Sequence, residues 1–227
     1  MNYLKVNDIF ESISGEAGFF PQGSVCTFIR LQGCNLKCRW CDTPDTQSCS
    51  KESRYKFWLP KNLVEHCSLY STKRVLITGG EPLVQREGLL ELIQELSKRN
   101  FEIQIETNGS LPLIDILPIP YWIVDVKPPS SGYRRGIDPK FIADLGVAVN
   151  FVQLKFAVLN RQDILFAIEQ MKKKHLPPAK FIVSPVEGEV AGKTWYPQVI
   201  EIFRKEAPEL IENIVFSLQL HKIVKMS

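Results

Sequence analysis

The chain alternates short apolar runs with amphipathic stretches along most of its 227 residues. Most of the apolar runs are continuous, which is typical of strands in a buried parallel sheet. Strands are predicted at residues 25–31, 74–78, 101–106, 122–126, 151–156, 181–183 and 214–218. Helices are predicted at residues 60–70, 86–99, 138–145, 161–174 and 196–205. This order predicts an α/β fold in which helices cover a parallel sheet, and we expect a barrel-like sheet rather than a doubly wound one.

Composition limits the possible functions. A chain of 227 residues with 44% hydrophobic content can bury one core, so we expect a single domain over residues 1–227. The net charge of +3 is far from the basic field of a dedicated nucleic-acid-binding protein, and we expect a small-molecule partner. No apolar stretch approaches the roughly 20 residues that span a membrane, and residues 1–16 show no export signal. We therefore expect a soluble, cytoplasmic protein without a membrane partner.

Three of the six cysteines, Cys34, Cys38 and Cys41, lie within one short segment. This spacing is poor for disulfides and good for metal ligands, and a reducing compartment keeps thiolates available. Cys26 and Cys67 lie in apolar or amphipathic segments and are predicted to be buried thiols. Cys49 lies in a polar loop for which the sequence indicates no role.

The three close thiolates favour an iron-sulfur cluster, because one loop can wrap around a compact inorganic core. Three ligands leave one iron open for a small molecule, which favours catalysis. A structural zinc site needs four ligands, usually as two pairs, and no second cysteine pair follows. The alternative is a zinc site completed by His66, His175 or His221, in a non-catalytic iron-sulfur or zinc-binding interaction module.

The spacing Cys-x3-Cys-x2-Cys, with Trp40 directly before the third cysteine, resembles the signature of the radical S-adenosylmethionine (SAM) superfamily. Gly79-Gly80-Glu81-Pro82, which follows the predicted strand RVLIT, resembles the superfamily turn that binds the amino group of SAM. Glycines let the backbone approach the ligand, and Glu81 adds negative charge near an ammonium group. The resemblance implies a [4Fe-4S] cluster, SAM and a partial βα barrel.

The flanking sequence FIRLQGCNLKCRWCDT resembles the 7-carboxy-7-deazaguanine synthase family, as do ETNG, DVK and QLHK further along the chain. The resemblance implies a lyase that converts 6-carboxy-5,6,7,8-tetrahydropterin to 7-carboxy-7-deazaguanine and ammonia in queuosine and 7-deazapurine biosynthesis. It also implies an electron donor such as a flavodoxin, and a homodimer. A glycyl-radical-enzyme activase carries the same three-cysteine loop and is the alternative enzyme, although the flank argues against it.

The family resemblance also implies roles for individual residues, with no catalytic side chain beyond the cofactor-derived radical. The cluster ligands are Cys34, Cys38 and Cys41, and a Mg2+ ligand is Thr43. Residues implied to contact SAM are Trp40, Cys41, Asp42, Gly80, Glu81, Asp125, Val126 and Lys127. Residues implied to contact the substrate are Ile13, Ser14, Gly15, Arg30 and Thr78. Ser14 stands where many relatives carry Gln, and Ser184 and His221 are further candidates for the site wall.

Overall fold

The structure is a computed structural model and describes residues 2–50, 54–113, 120–133, 150–173, 181–186 and 195–224. The helix predicted at residues 138–145 lies outside these residues. Within them the chain forms one nine-stranded sheet in the order β3-β1-β2-β4-β5-β6-β7-β8-β9. The strands are β1 Leu4–Ile13, β2 Val25–Leu31, β3 Lys56–Trp58, β4 Arg74–Gly79, β5 Glu102–Thr107, β6 Tyr121–Asp125, β7 Val152–Val158, β8 Phe181–Pro185 and β9 Ile214–Phe216.

The sheet is mostly parallel. Strand β2 and strands β4 to β9 run in the same direction, while β1 is antiparallel to β2 and to β3. The sheet remains open, with β3 and β9 at its two edges. The fold is therefore the predicted partial barrel, and all seven predicted strands are present. Strands β1 and β3 were not predicted, because β1 mixes polar with apolar residues and β3 is a three-residue edge strand.

Four of the five predicted helices are confirmed. The helices are α1 Pro60–Cys67, α2 Arg86–Lys98, α3 Arg161–Met171, α4 Trp195–Glu206 and α5 Leu220–Ile223. Pro60 occupies the first turn of α1, where its missing N–H costs nothing, and the Asn160 side chain caps α3 by accepting from the Asp163 N–H. Within the described residues, no helix combines the length and the apolar character needed to cross a membrane.

The two faces of the sheet have different roles. Val75 and Ile77 of β4 belong to the main hydrophobic core, which the helices share, whereas the alternate residues Leu76 and Thr78 face a cavity. The same alternation, which follows from the two-residue period of a strand, occurs along β2 and β7. The parallel strands thus present one row of residues to the core and another to a potential site.

Candidate active site

A cavity of about 420 Å³ opens at the carboxyl ends of the parallel strands. This is the edge at which open α/β sheets bind ligands, because the strand ends and the loops that follow them converge there. Its wall includes β1, the loop after β2, the ends of β4 to β8 and the segment after β9. Residues that are distant in sequence therefore meet in one place.

The cysteine loop, residues 33–47, follows β2, and backbone hydrogen bonds join its two ends. The N–H of Gly33 donates to the Thr46 carbonyl at 2.7 Å, and that of Cys34 donates to the Gln47 carbonyl at 3.1 Å. All three predicted cluster ligands line the cavity and are partly exposed.

The surroundings of these thiols suit iron ligation. Burial raises the pKa values of the Cys34 and Cys38 thiols, so ligation requires displacement of their protons by a metal. The N–H of Leu36 lies 3.4 Å from the Cys34 sulfur, and the Asn108 amide lies 3.8 Å from it. Hydrogen bonds to sulfur are among the interactions that tune iron-sulfur clusters. The donor set on this loop therefore fits a cluster with one iron left for another ligand.

The glycine turn at the end of β4 packs against the cysteine loop. A Cβ on Gly79 would lie 2.3 Å from the Leu31 carbonyl oxygen, and one on Gly80 would lie 2.0 Å from the Gly33 carbonyl oxygen. The N–H groups of Gly80 and Glu81 donate to those same two carbonyls at 2.9 and 2.8 Å. The glycines were predicted to make room for a ligand. The structure shows that Gly79 makes room for the end of β2 and Gly80 for the backbone of the cysteine loop, and room for a ligand stays a prediction.

Glu81 points into the protein. Its carboxylate accepts hydrogen bonds from the Leu83 N–H at 3.0 Å, the Thr107 hydroxyl at 2.8 Å and the Asn108 N–H at 2.7 Å. Burial raises its pKa. The Glu81 carboxylate is not part of the cavity wall, because its hydrogen bonds anchor the ends of β4 and β5. That it adds negative charge near an ammonium group stays a prediction. A contact between SAM and the Glu81 backbone stays a prediction.

Trp40 and Lys127 form one corner of the cavity. The Trp40 indole N–H donates to the Ser130 hydroxyl at 2.9 Å, and the Lys127 ammonium lies 5.3 Å from the Trp40 ring centroid. Lys127 also pairs with Asp125 at 2.9 Å. Burial alone would lower the Lys127 pKa, but the negative charge and hydrogen bond of Asp125 and the nearby Cys38 sulfur together outweigh it, and the net shift is upward. The second Asp125 oxygen, Oδ1, is buried and has no hydrogen-bond partner among the described residues, so it can accept from a ligand.

Val126 is the member of the Asp125-Val126-Lys127 triplet that does not line the cavity. It is buried, and its N–H donates to the Lys155 carbonyl at 2.8 Å. Asp42 and Thr43 do line the cavity. The Thr43 hydroxyl lies 3.4 Å from the Gly79 carbonyl oxygen and 3.9 Å from the Cys41 sulfur, so it stands beside the cysteine loop.

The five predicted substrate residues all line the cavity. The Arg30 guanidinium lies 5.1 Å from the Phe10 ring centroid, and Phe10 stacks on Phe28 at 5.0 Å. The Arg30 Nε is buried and has no hydrogen-bond partner in the part of the chain that the structure describes. The Thr78 hydroxyl lies 3.5 Å from a Glu106 oxygen, and the Ser14 hydroxyl donates to the Glu16 carbonyl at 3.2 Å. An unpaired buried guanidinium nitrogen fits a carboxylate ligand.

Several cavity residues were not assigned a role from the sequence: Phe10, Glu16, Phe28, Glu106, Asn108, Lys155 and Gln219. Lys155 interrupts the apolar strand VQLKFAV. A single charged residue in a buried strand is a signal from which a site residue could have been predicted. Glu106 ends an apolar strand in the same way. Ser184, named as a candidate, lines the cavity and has a buried unpaired hydroxyl. The His221 side chain lies outside what the structure describes.

The zinc alternative depends on a histidine near the cysteine loop. His66 lies on α1, packed 5.3 Å from the Trp58 ring and 5.7 Å from the Tyr70 ring, and is not part of the cavity wall. His175 lies outside the described residues. The described structure therefore gives this alternative no support from His66.

Comparison with known proteins agrees with the site. Residues 28–119 match the family model of the radical SAM superfamily. The chain resembles the crystal structure of QueE from Escherichia coli with a TM-score of 0.74 at 24% identity, covering 96% of this chain and 95% of that one. It also resembles Streptococcus suis SuiB bound to S-adenosylmethionine, with a TM-score of 0.51 at 16% identity over 82% of this chain and 48% of that one. At these identities the two structures establish the fold.

The curated relatives are more specific. The 7-carboxy-7-deazaguanine synthase of Methanospirillum hungatei JF-1 is 32% identical over 97% of this chain and 85% of that protein. The protein of the same name from Clostridium acetobutylicum is 32% identical over 99% of this chain and 96% of that protein. Fold and cysteine loop thus define a radical SAM enzyme, a class that uses a [4Fe-4S] cluster and SAM. Within that class, the chain belongs to the 7-carboxy-7-deazaguanine synthase family.

Proposed function

We propose that this enzyme converts 6-carboxy-5,6,7,8-tetrahydropterin to 7-carboxy-7-deazaguanine and ammonia, a step of queuosine and 7-deazapurine biosynthesis. The observation that carries the proposal is the meeting of the three-cysteine loop and Arg30 in one cavity of about 420 Å³. Its full-length relatives carry the name of this activity. The cavity therefore combines a place for radical chemistry with a donor for a carboxylate-bearing substrate.

Cys34, Cys38 and Cys41 would hold the cluster. When bound there, the cluster and SAM supply the electron and the radical that takes hydrogen from C6 of the pterin. The protein's own contribution is to place the substrate and exclude water. The residues proposed to hold SAM are Trp40, Cys41, Asp42, Gly80, Asp125 and Lys127, together with the backbone of Glu81 and Val126, whose side chains do not line the cavity. Asp125 suits this role because Oδ1 is an unused buried acceptor.

The pterin is proposed to bind over the inner faces of β1, β2 and β4. Arg30 would donate to its carboxylate, with Phe10 supporting the guanidinium from one side. Ile13, Ser14 and Gly15 lie at the end of β1, and Thr78 lies near the end of β4, so they would contact the rest of the substrate.

Thr43 is proposed as a ligand of Mg2+ that also meets the substrate carboxylate. A hydroxyl oxygen suits a hard cation that keeps few protein ligands, and Thr43 lines the cavity beside the cysteine loop. In a Thr43→Val variant, we expect the Mg2+ concentration for half-maximal rate to rise by about tenfold. SAM cleavage without substrate would stay near the wild-type rate, and an unchanged Mg2+ response would contradict the assignment.

The proposal includes two partners, a flavodoxin-type electron donor and a second copy of the chain. Reduced flavodoxin should replace dithionite in the assay. Sedimentation equilibrium should give twice the monomer mass of 25.9 kDa. A monomeric mass across the concentration range would exclude the homodimer.

The deciding experiment is anaerobic. The protein is reconstituted with iron and sulfide, reduced, and given SAM, Mg2+ and carboxytetrahydropterin, and 7-carboxy-7-deazaguanine is followed by mass spectrometry. Product formation that is lost in Cys38→Ser supports the proposal. Cleavage of SAM to 5'-deoxyadenosine without this product would leave a radical SAM enzyme with a different substrate.

A further inference from the structure

The β1 loop, residues 14–24, links the beginning of the sheet to the segment that follows its last strand. The Leu220 N–H donates to the Gly15 carbonyl at 2.7 Å, and the Gln22 amide donates to the Leu218 carbonyl at 2.6 Å. The Ala17 N–H donates to the Ser217 hydroxyl at 2.8 Å, across 200 residues of sequence. The loop therefore bridges the opening of the partial barrel beside the cavity.

Phe19 and Phe20, in the middle of the β1 loop, are anchored on the cavity side of the sheet. The N–H groups of Phe19 and Phe20 both donate to the Gln104 side-chain oxygen at 3.0 Å, and Phe19 stacks on Tyr121 at 4.5 Å. The residues of the loop that face the cavity are those that directly follow β1, namely Ser14, Gly15 and Glu16.

One ion pair fixes the part of the loop that directly follows β1. The Glu16 carboxylate pairs with the Lys155 ammonium of β7, and its Oε1 accepts from the Gln219 amide at 3.1 Å. The side chains of Lys155 and Glu16 are only 10% and 12% exposed. Glu16 is thus held from two sides, by the middle of the sheet and by the C-terminal segment.

The surrounding negative charges keep Lys155 protonated. Burial alone would lower the Lys155 pKa, but Glu16, then Glu106 and Asp125, outweigh it and the net shift is upward. Loss of one partner from a buried ion pair leaves the other charge uncompensated. The segment that carries the remaining charge then shifts so that this charge reaches solvent. In this fold the group most able to move is Glu16, because it lies on a loop whereas Lys155 lies within a strand.

We propose that Glu16 and Lys155 are positioning residues whose ion pair, completed by Gln219, holds the Ser14–Gly15 backbone ready to receive the substrate. The inference rests on the proposed function, since it concerns the pterin side of the same cavity. A loop ordered before binding loses less conformational entropy when the substrate arrives. It also keeps reacting groups within the small distances that catalysis requires.

The test compares Lys155→Met and Glu16→Gln with the wild type. Glu16→Gln removes the charge but keeps the shape and an acceptor for Gln219. For both variants we expect the KM for carboxytetrahydropterin and the dissociation constant for 6-carboxypterin, a redox-inert probe, to rise by about tenfold or more. In Glu16→Gln, substrate-free cleavage of SAM should stay within about twofold of wild type, because Glu16 contacts Lys155 and Gln219 and not the residues proposed to hold the cluster and SAM.

A second readout does not use activity. The Ser14 N–H donates to the Ser24 carbonyl, and the Gly23 N–H donates to the Ser14 carbonyl, both at 2.8 Å. Hydrogen exchange at these two amides should accelerate by about tenfold in both variants. The matched control is Lys172→Met, which breaks a more exposed ion pair with Glu209 on the outer surface and should change neither readout.

Three results would overturn the inference. One is wild-type substrate affinity and exchange in both variants. Another is a proportional loss of substrate affinity and SAM cleavage in Glu16→Gln, which would indicate general damage. The third is failure of both variants to fold, because the pair would then support the whole fold. If Lys155→Met alone fails to fold, Glu16→Gln decides the question. A wild-type enzyme without 7-carboxy-7-deazaguanine product would instead refute the proposed function.

Discussion

Single residues at the end of β4 set the distance between the sheet and the cysteine loop. Gly79 has a backbone φ of +119°, which L side chains rarely adopt, and Gly80 lies directly against the Gly33 carbonyl. The nearest atoms to a Cβ at Gly80 belong to backbone rather than to a flexible side chain. The loop would have to shift to accommodate any larger residue.

We predict that Gly80→Ala folds but takes up iron poorly. The added methyl group would push residue 33 and the following cysteines away from the β4 end. Iron content after reconstitution and visible absorbance should fall several-fold relative to wild type. The control is Gly88→Ala on α2, where the nearest atoms belong to the Leu4 side chain. Normal iron uptake by Gly80→Ala would show that the close backbone contact is unimportant.

A second residue-scale prediction concerns Glu81. In Glu81→Gln, one acceptor becomes an NH2 group facing donors that the carboxylate now satisfies. We expect the free energy of unfolding to fall by about 1–3 kcal/mol, the usual cost of unsatisfied buried groups. Urea unfolding of the cluster-free protein measures it. Glu201→Gln, at an exposed position on α4, serves as the control and should change stability by less than about 0.5 kcal/mol.

At the scale of elements, two loops form one unit. The loop after β6, residues 126–133, holds the cysteine loop through three bonds. The Tyr133 hydroxyl accepts from the Lys37 N–H at 2.7 Å, the Ser131 carbonyl accepts from the Arg39 N–H at 2.9 Å, and Ser130 accepts from Trp40. The described part of this loop therefore braces the cysteine loop.

We predict that Tyr133→Phe shortens the lifetime of the cluster in air. The variant frees the Lys37 N–H, so the cysteine loop opens more often and exposes the sulfurs to oxygen. Tyr70→Phe is the matched control, because it removes a hydroxyl bond of 3.1 Å to the Ile9 carbonyl away from the cavity. Both variants should lose about 1 kcal/mol of stability. Only in Tyr133→Phe should the visible absorbance of the cluster decay faster in air. Equal bleaching rates would contradict a bracing role.

At the scale of the molecule, one hydrophobic cluster runs from Leu4 on β1 to Leu210 near the C-terminus. A shared core couples the parts of a domain, so they unfold together. We propose that residues 1–227 form a single domain. Urea unfolding of the cluster-free protein should then show one transition, with the same midpoint by circular dichroism and by Trp fluorescence. Separate midpoints would indicate independent units.

Stability should also fall as the solution becomes alkaline. Burial raises the pKa values of Cys26 and Cys67 from the ordinary 9.0 to about 12. Between these values the unfolded chain releases thiol protons that the folded protein keeps, so rising pH favours unfolding by at most about 1.4 kcal/mol per pH unit for each thiol. Lys155 acts in the same direction above its ordinary value of 10.5, because its folded pKa is also raised.

Urea unfolding between about pH 8 and about pH 11 measures this slope. In Cys67→Ala the slope should be shallower by one thiol, although the variant is less stable at neutral pH because of the methyl-sized cavity left at a buried site. Cys49→Ala is the control, since Cys49 is exposed. An identical slope in Cys67→Ala and wild type would show that Cys67 does not titrate on unfolding.

The sequence by itself determined seven of the nine strands in the described residues, most helices and the chemistry of the cysteine loop. Continuous apolar runs and amphipathic periods are local properties, and the spacing of Cys34, Cys38 and Cys41 is contained in one loop. For the same reason β1 was missed, since its mixed pattern becomes a strand only through pairing with β2 and β3.

Only the tertiary structure decided which residues share the cavity. Sheet register places Arg30 beside Thr78, and strand alternation turns Lys155 toward the cavity while its neighbours face the core. The tertiary structure also turns the Glu81 carboxylate inward, where backbone N–H groups after β4 and β5 donate hydrogen bonds to it. The pairing of Glu16 with Lys155 joins the loop after β1 to β7. No local pattern encodes such a contact, because it exists only after distant strands have assembled.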